Sequence, residues 1–462
     1  MNCDALTFDA RLQGALAMLV SAWPAFLASL VATLVTVPIA RSVALRTGVV
    51  DAPDGVRKLH GRTVAYLGGV GVFVGAFVGI IAGAIASGAD VDSMPPVPFS
   101  IVLGMVAITF TGLADDIWKF DARLKVAGQL VAAAALAIDE IGVNVATGLL
   151  APVMGSPGET ILALGGVAIT NATVFYWVGT ALVAVFVLGG CNAANLLDGL
   201  DGLLSGITAV MCIGLLLLSL VVVFALPPDL SLATEGMHPM AGARITLCVS
   251  LLGACLGFLV FNFNPASIFL GDAGSLLIGF MSVAIIMSFA NLAPFSCPYV
   301  ARAAVDLAQP GPAQMPMSQI PGQQAGYEGF STVLVMSGLA MFGLPILDTT
   351  LAMVRRKRAG VPFSVPDANH LHHRVKRALG GSVRRAVLSL YAMELGLVVL
   401  GLGCGATLLL VGGRLLWPFL LLVATFLVLV AVGLRGVGGA PTKVPPVGAP
   451  ATPAASQNPG TP

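Results

Sequence analysis

The chain carries a succession of near-continuous apolar runs of about 20 residues, the length at which a helix crosses the hydrocarbon of a bilayer. In lipid such a run has no water to satisfy its backbone, so it must bond its own N–H and C=O groups as a helix. The runs fall near residues 20–40, 66–88, 97–114, 124–147, 173–193, 204–226, 243–261, 274–292, 331–353, 387–411 and 414–434. The expectation is an all-α polytopic membrane protein of about 11 transmembrane helices. Composition agrees: 57% of the residues are hydrophobic and 10% charged, against roughly 45–50% and about 25% in soluble domains. A net charge of +1 gives no support to nucleic-acid binding.

Lys and Arg accumulate in cytoplasmic loops of membrane proteins. With an odd number of spans, 19 of the 23 basic residues fall on one side and only Arg11, Arg244, Arg302 and Arg414 on the other. The expected orientation is therefore N-terminus outside and C-terminus cytoplasmic, in the inner (plasma) membrane. Asp4 and Asp9 replace the basic start of a cleaved signal peptide, so the first run reads as an anchor. Residues 148–171, with Pro152, Gly155, Pro157 and Gly158, read as an ordered loop that does not span. The membrane domain is expected over residues 1–434. A Pro-, Gln- and Gly-rich outer loop (293–329) and a Pro- and Ala-rich cytoplasmic tail (435–462) are expected to be disordered. The seven cysteines form no CxxC pair and sit mostly in apolar runs, where a thiol packs as a small hydrophobe.

Five polar clusters fall at span ends on the basic side: Asp51 to His60, including Lys58; Asp115-Asp116-Ile-Trp-Lys119 with Lys125; Asn192-Ala-Ala-Asn195-Leu-Leu-Asp198-Gly-Leu-Asp201-Gly202; Phe261 to Ser275, including Phe269 and Gly271-Asp272-Ala-Gly274; and His370-Leu-His372-His373-Arg374. Each has a plain structural explanation. Asp115 and Asp116 would serve as helix caps, Lys119 and Lys125 as interfacial anchors, Asp272 as part of a tight turn, the histidines as anchors beside a basic run, and Phe269 as an apolar contact. The Asn192–Gly202 stretch is hardest to explain this way, since two Asn and two Asp between apolar spans serve no lipid contact. Together, carboxylates, cations, histidines and glycines suit a hard, oxygen-ligated cation holding phosphates. Zinc held by Cys or by an HExxH motif lacks its ligands.

In order and spacing these stretches resemble the bacterial polyprenyl-phosphate N-acetylhexosamine-1-phosphate transferases, the WecA/TagO branch related to the phospho-MurNAc-pentapeptide transferase MraY. The resemblance runs from about Ala40 to Ser389, and NAANLLDGLDGL and FNFNPASIFLGDAGS are its most specific motifs. It implies transfer of N-acetylglucosamine 1-phosphate from UDP-GlcNAc to undecaprenyl phosphate with release of UMP, and a Mg²⁺ cofactor for which Mn²⁺ is an alternative. It implies Asp115 and Asp116 as catalytic residues and Asp272 and Asn195 as metal ligands. Substrate contacts are implied for Lys58, His60, Lys119, Lys125, Asn192, Asp198, Asp201, Phe269, His370, His372 and His373. Among these, Asp201 and Phe269 would hydrogen-bond and stack on uracil, and Lys125 and the histidines would hold the diphosphate. The partners implied are a UDP-N-acetylhexosamine, a polyprenyl phosphate and the membrane, with homodimerisation open. One departure is that Thr63 and Ala65 stand where the family often has prolines after the first histidine.

Competing readings fit less well. A UbiA-like prenyltransferase would repeat a DxxxD-type motif, whereas Asp115 is followed at the fourth position by Lys119. A CDP-alcohol phosphatidyltransferase would need an Arg soon after its DG pair. A transporter would place charges near mid-membrane. Within the family, MraY-type enzymes have three consecutive histidines, whereas HLHH follows Arg355-Arg356 and Pro366-Asp367 here. If the five clusters serve one site, cysteine labelling will find positions 58, 119, 195 and 372 on the cytoplasmic side. Two of them reachable only from outside would refute that topology.

Overall fold

The computed structural model describes residues 8–51, 63–87, 97–119, 121–164, 167–225, 240–292, 323–360, 362, 369–411 and 416–435. Helix α1 (Phe8–Thr47) is followed by the two-residue strands β1 (Val50–Asp51) and β2 (Val64–Ala65), then α2 (Gly68–Ala86), α3 (Phe99–Trp118) and α4 (Ala122–Ile138). The loop expected over 148–171 is a short helix, α5 (Val145–Met154), and an antiparallel hairpin of β3 (Thr160–Leu164) and β4 (Val167–Thr170). The remainder is α6 (Asn171–Leu197), α7 (Leu203–Ala225), α8 (Met240–Asn262), α9 (Gly271–Met287), α10 (Gln323–Met341), α11 (Gly343–Arg358), α12 (Leu371–Ala378), α13 (Val383–Val411) and α14 (Leu416–Arg435). The chain is an all-α polytopic membrane protein. Helix α10 begins inside the stretch expected to lack structure. Residues 293–322 and 436–462 lie outside the described residues, as do Lys58 and His60.

Among the described residues, eight helices are long and apolar enough to cross a membrane: α1, α2, α3, α6, α7, α8, α9 and α13. A ninth span forms if the α10/α11 pair, bent by 75°, counts as one. One of the 11 expected spans is a shorter helix than that test requires. It is the fourth, the 17-residue α4, an alanine-rich helix that brings Arg123, Lys125 and Gln129 with it. The last, α14, is a 20-residue apolar helix over Leu416–Arg435. Apolar residues pooled across helix and flanking loop make a run look longer than the helix it becomes.

Helix α9 is the axis of the bundle. Every residue of Gly271–Ala290 except Asp272 is buried, and α2, α3, α6 and α8 pack around it. Packing of this kind in lipid depends on small residues that let backbones approach, because apolar contact with lipid is as favourable as apolar contact with a helix. A Cβ on Gly69 of α2 would lie 2.1 Å from the backbone nitrogen of Gly274, and one on Gly112 of α3 would lie 2.5 Å from Ala273 Cα. These approaches set the first turn of α9 against α2 and α3.

The connection between α8 and α9 is knitted from several directions. Phe269 N–H donates to Ala65 O (2.8 Å), and Gly68 and Gly69 N–H donate to Phe269 O and Leu270 O (2.9 and 2.7 Å). Arg41 Nε donates to Ser267 O (3.1 Å) and Arg384 Nε to Asn264 O (2.9 Å). Gly69→Ala is expected to force these backbones apart and cost about 1–3 kcal/mol, read as a lower melting temperature in detergent. Gly242→Ala, where a Cβ meets nothing within 4 Å, is the control and should leave it unchanged.

Candidate active site

A helix leaves its first backbone N–H groups without intrahelical partners, and a buried helix start must find them elsewhere. At α9 Asp116 supplies them: its Oδ1 accepts from Asp272 N–H (2.8 Å) and its Oδ2 from Ala273 N–H (3.0 Å). Gly271 enters the helix at φ +74°, and a Cβ there would meet Asp116 Oδ2 at 2.6 Å, so glycine is required twice over. Neighbouring residues on a helix point about 100° apart, so Asp115 faces elsewhere. Its Oδ2 lies 3.0 Å from Lys125 Nζ on α4. The same ammonium pairs with Asp272 Oδ2. Asp272 Oδ1 accepts from Asn195 Nδ2 (2.7 Å), which also reaches Ser275 Oγ (2.9 Å). Asp115, Asp116, Lys125, Asn195 and Asp272, from four helices, thus form one cluster around the start of α9.

The field there is strongly negative. Asp198, at the end of α6, has its carboxyl pushed up to about 7, first by burial and then by the charges of Asp272, Asp116 and Asp201. Burial, and then the charges of Asp272, Asp116, Asp198 and Asp51, raise the phenol of Tyr66, just before α2. Like charges gathered in this way call for cations, and Lys125 is the one placed between Asp115 and Asp272.

The α6–α7 turn joins the cluster to the other motifs. Asp201 Oδ2 accepts from Asn264 Nδ2 (2.8 Å) and Ala266 N–H (3.0 Å), while Asn262 Oδ1 accepts from Gly202 N–H (2.9 Å). Asp201 therefore braces the loop leading to α9. On the other side, a Cβ at Gly199 would sit 2.4 Å from His372 Nε2, so the histidine motif lies against this turn. His370 and His372 are buried and both turn Nδ1 toward Asp348 on α11, at 3.1 and 3.3 Å from its Oδ2. Asp348 Oδ1 accepts from Leu371 N–H (2.6 Å). His373, whose ring centroid is 4.3 Å from that of His372, has its pKa lowered to about 4 by burial and then by its histidine neighbours.

The structure places other expected residues outside the carboxylate cluster. Lys119 is exposed at the C-terminal cap of α3 in a left-handed conformation, φ 50°. Asn192 donates to Gln129 Oε1 (3.0 Å) and Leu188 O (2.7 Å), tying α6 to α4. Phe269 is half-buried, edge-on to Tyr66 at 6.4 Å. Tyr66, Gln129 and Asp348 escaped the sequence reading. For Asp348 the signal was there, a lone carboxylate inside the apolar run from Met341 to Ala352.

Residues 98–290 match the model of glycosyl transferase family 4. The chain is 30% identical over 414 residues to the decaprenyl-phosphate N-acetylglucosaminephosphotransferase of Mycolicibacterium smegmatis, covering 87% of this chain and 86% of that protein. It belongs to glycosyl transferase family 4. Another relative, the probable undecaprenyl-phosphate N-acetylglucosaminyl 1-phosphate transferase of Bacillus subtilis, is 27% identical over 370 residues, 79% of this chain and 80% of the relative. A phospho-N-acetylmuramoyl-pentapeptide-transferase of Bacillus cytotoxicus is 32% identical over 274 residues, 57% of this chain and 72% of that one. The stretch matched to family 4 holds the whole carboxylate cluster, whereas the histidine motif lies beyond it.

The cluster contains residues of two kinds, separable by experiment. Asp116→Ala removes a cap and is expected to cost about 1–2 kcal/mol, seen as a lower melting temperature. Asp272→Asn keeps the backbone of α9 capped and should melt as the wild type does.

Proposed function

We propose that this protein transfers N-acetylglucosamine 1-phosphate from UDP-N-acetylglucosamine to a polyprenyl phosphate, releasing UMP, at the cytoplasmic face of the cell membrane. The observation that carries this reading is the Asp115–Lys125–Asp272–Asn195 cluster at the start of α9, within a family 4 chain matched along most of its length by an N-acetylglucosaminephosphotransferase. The 19-to-4 distribution of basic residues supports the cytoplasmic face.

In this reading an oxygen of the lipid phosphate attacks the β-phosphorus of the nucleotide sugar. The new P–O bond forms as the bond from that phosphorus to the bridging oxygen breaks, and the electron pair leaves on UMP. Asp115, at the edge of the cluster, takes the proton of the lipid phosphate where that group is protonated. Lys125 stands between Asp115 and Asp272 and offsets their charge, and on substrate binding its ammonium is within reach of phosphate oxygens. Phosphoryl transfer of this kind is governed by positioning and charge neutralisation.

The donor atoms fit Mg²⁺, or Mn²⁺ in its place. The carboxylate of Asp272 and the amide oxygen of Asn195, once its side chain turns over, are hard oxygen ligands, and the crowding of the Asp272, Asp116 and Asp201 charges about the buried Asp198 is the kind a divalent ion relieves. Such an ion would neutralise charge on the donor diphosphate. The HLHH motif and the more extensive match to the N-acetylglucosaminephosphotransferase favour UDP-N-acetylglucosamine over UDP-MurNAc-pentapeptide.

Purified protein should release UMP from UDP-N-acetylglucosamine only when undecaprenyl phosphate is present, and EDTA should abolish turnover. Asp115→Asn should bind the donor but lose about 10²–10⁴ in kcat. UMP exchange without lipid would replace direct attack by a covalent route, and preference for UDP-MurNAc-pentapeptide would replace the donor.

A further inference from the structure

We propose that Asp348 is a positioning residue for the histidine motif: it sets which nitrogen of His370 and His372 carries the proton and leaves their Nε2 lone pairs to accept from hydroxyl and N–H groups of the nucleotide-sugar donor. The proposal rests on the transferase reading above.

Asp348 is fully buried on α11, in the apolar wall just past the 75° bend. A carboxylate in such surroundings is costly unless its oxygens are matched, and here both are. Oδ1 takes the Leu371 N–H and Oδ2 is hydrogen-bonded to Nδ1 of His370 at 3.1 Å, while Nδ1 of His372 lies 3.3 Å from the same oxygen, within ion-pair range but not aligned for a hydrogen bond. His370 and Leu371 at the start of α12 are thus held by one side chain from another helix, with His372 directly beside it. The two rings lie nearly parallel, 15° apart with centroids 5.5 Å from each other, as partners of a common oxygen would.

A carboxylate accepts and does not donate, so an imidazole facing it through Nδ1 carries a proton there. In the neutral ring Nε2 is then left with its lone pair, and in the cation it is a donor. For His372 that edge faces Gly199, in the turn between Asp198 and Asp201. Asp348 therefore fixes an orientation that continues into the loop beside the carboxylate cluster. Partners of this kind behind functional histidines typically govern about 10- to 100-fold in affinity or activity.

Asn at position 348 separates this role from simple packing. Its oxygen can still accept the Leu371 N–H, but its NH₂ group would face the two Nδ1 atoms and favour the opposite tautomer. Asp348→Asn is therefore expected to raise KM for UDP-N-acetylglucosamine about 10- to 100-fold, leaving KM for undecaprenyl phosphate and the melting temperature near wild type. Asp348→Glu, which restores the charge, should recover part of the donor affinity.

A readout independent of turnover is ¹⁵N NMR of histidine-labelled protein. Two of the five histidines should be Nδ1-protonated in the wild type and lose that state in Asp348→Asn. If the wild type fails to use UDP-N-acetylglucosamine, the functional reading falls, and the NMR result alone decides the role of Asp348. The proposal is overturned by wild-type donor KM in Asp348→Asn, or by equal weakening toward both substrates together with a lower melting temperature. It is also overturned if Asp348→Glu is no better than Asn, or if stoichiometric zinc co-purifies with the wild type and is lost in Asp348→Asn, which would make the three side chains a metal site.

Discussion

The first turn of α9 is buried in protein except for the partly exposed Asp272, and its unpaired N–H groups must be met chiefly by protein. Asp116 meets two of them, and much of the site's geometry follows from that contact. It fixes α3 against α9, which sets Asp272 facing α4 and α6, where Lys125 and Asn195 hold its two oxygens. Because a helix start is the positive end of a dipole, it stabilises a carboxylate at the cap and also draws anionic groups toward it. The glycines at 69, 112 and 271 are the steric condition for this arrangement, since a side chain at any of them would collide with α9 or with the cap.

Among the described residues that arrangement gathers Asp115, Asp116, Asp198 and Asp272 about the start of α9, with the Lys125 ammonium between Asp115 and Asp272. Such crowding is unfavourable in isolation, and a protein built for stability alone would dilute it. Retained at span ends beside the membrane surface, it suits a reaction between a phosphate anchored in lipid and a soluble nucleotide, both anionic and both in need of cations to approach each other. The loops that support it are braced by polar side chains far away in sequence, Arg41 of α1, Arg384 of α13 and Asp201 of the α6–α7 turn among them.

Much of this was legible in the sequence. Apolar runs of membrane length identified the class, because lipid leaves a buried backbone few alternatives to the helix. The resemblance implied Asp272 and Asn195 as ligands of one metal, and the structure places the two side chains in hydrogen-bond contact although 77 positions separate them. The motifs did not distinguish residues that face substrate from residues that hold the frame. Asn192 and Asn195 lie one turn apart in the same motif, yet one ties α6 to α4 and the other reaches Asp272. Asp115 and Asp116 are adjacent, yet one pairs with Lys125 and the other caps α9.

Local composition thus determined that this chain is a helical membrane protein and which residue types its polar face would carry, since hydrophobicity and charge belong to each residue wherever it ends up. The tertiary structure decided how many of the apolar runs become long helices, that Asp116 is a cap, and that Asp348, a single acid in an apolar segment, stands behind the histidines. Those outcomes depend on which backbones come within hydrogen-bonding distance. That distance is set by packing between helices far apart along the chain, and no local pattern encodes it.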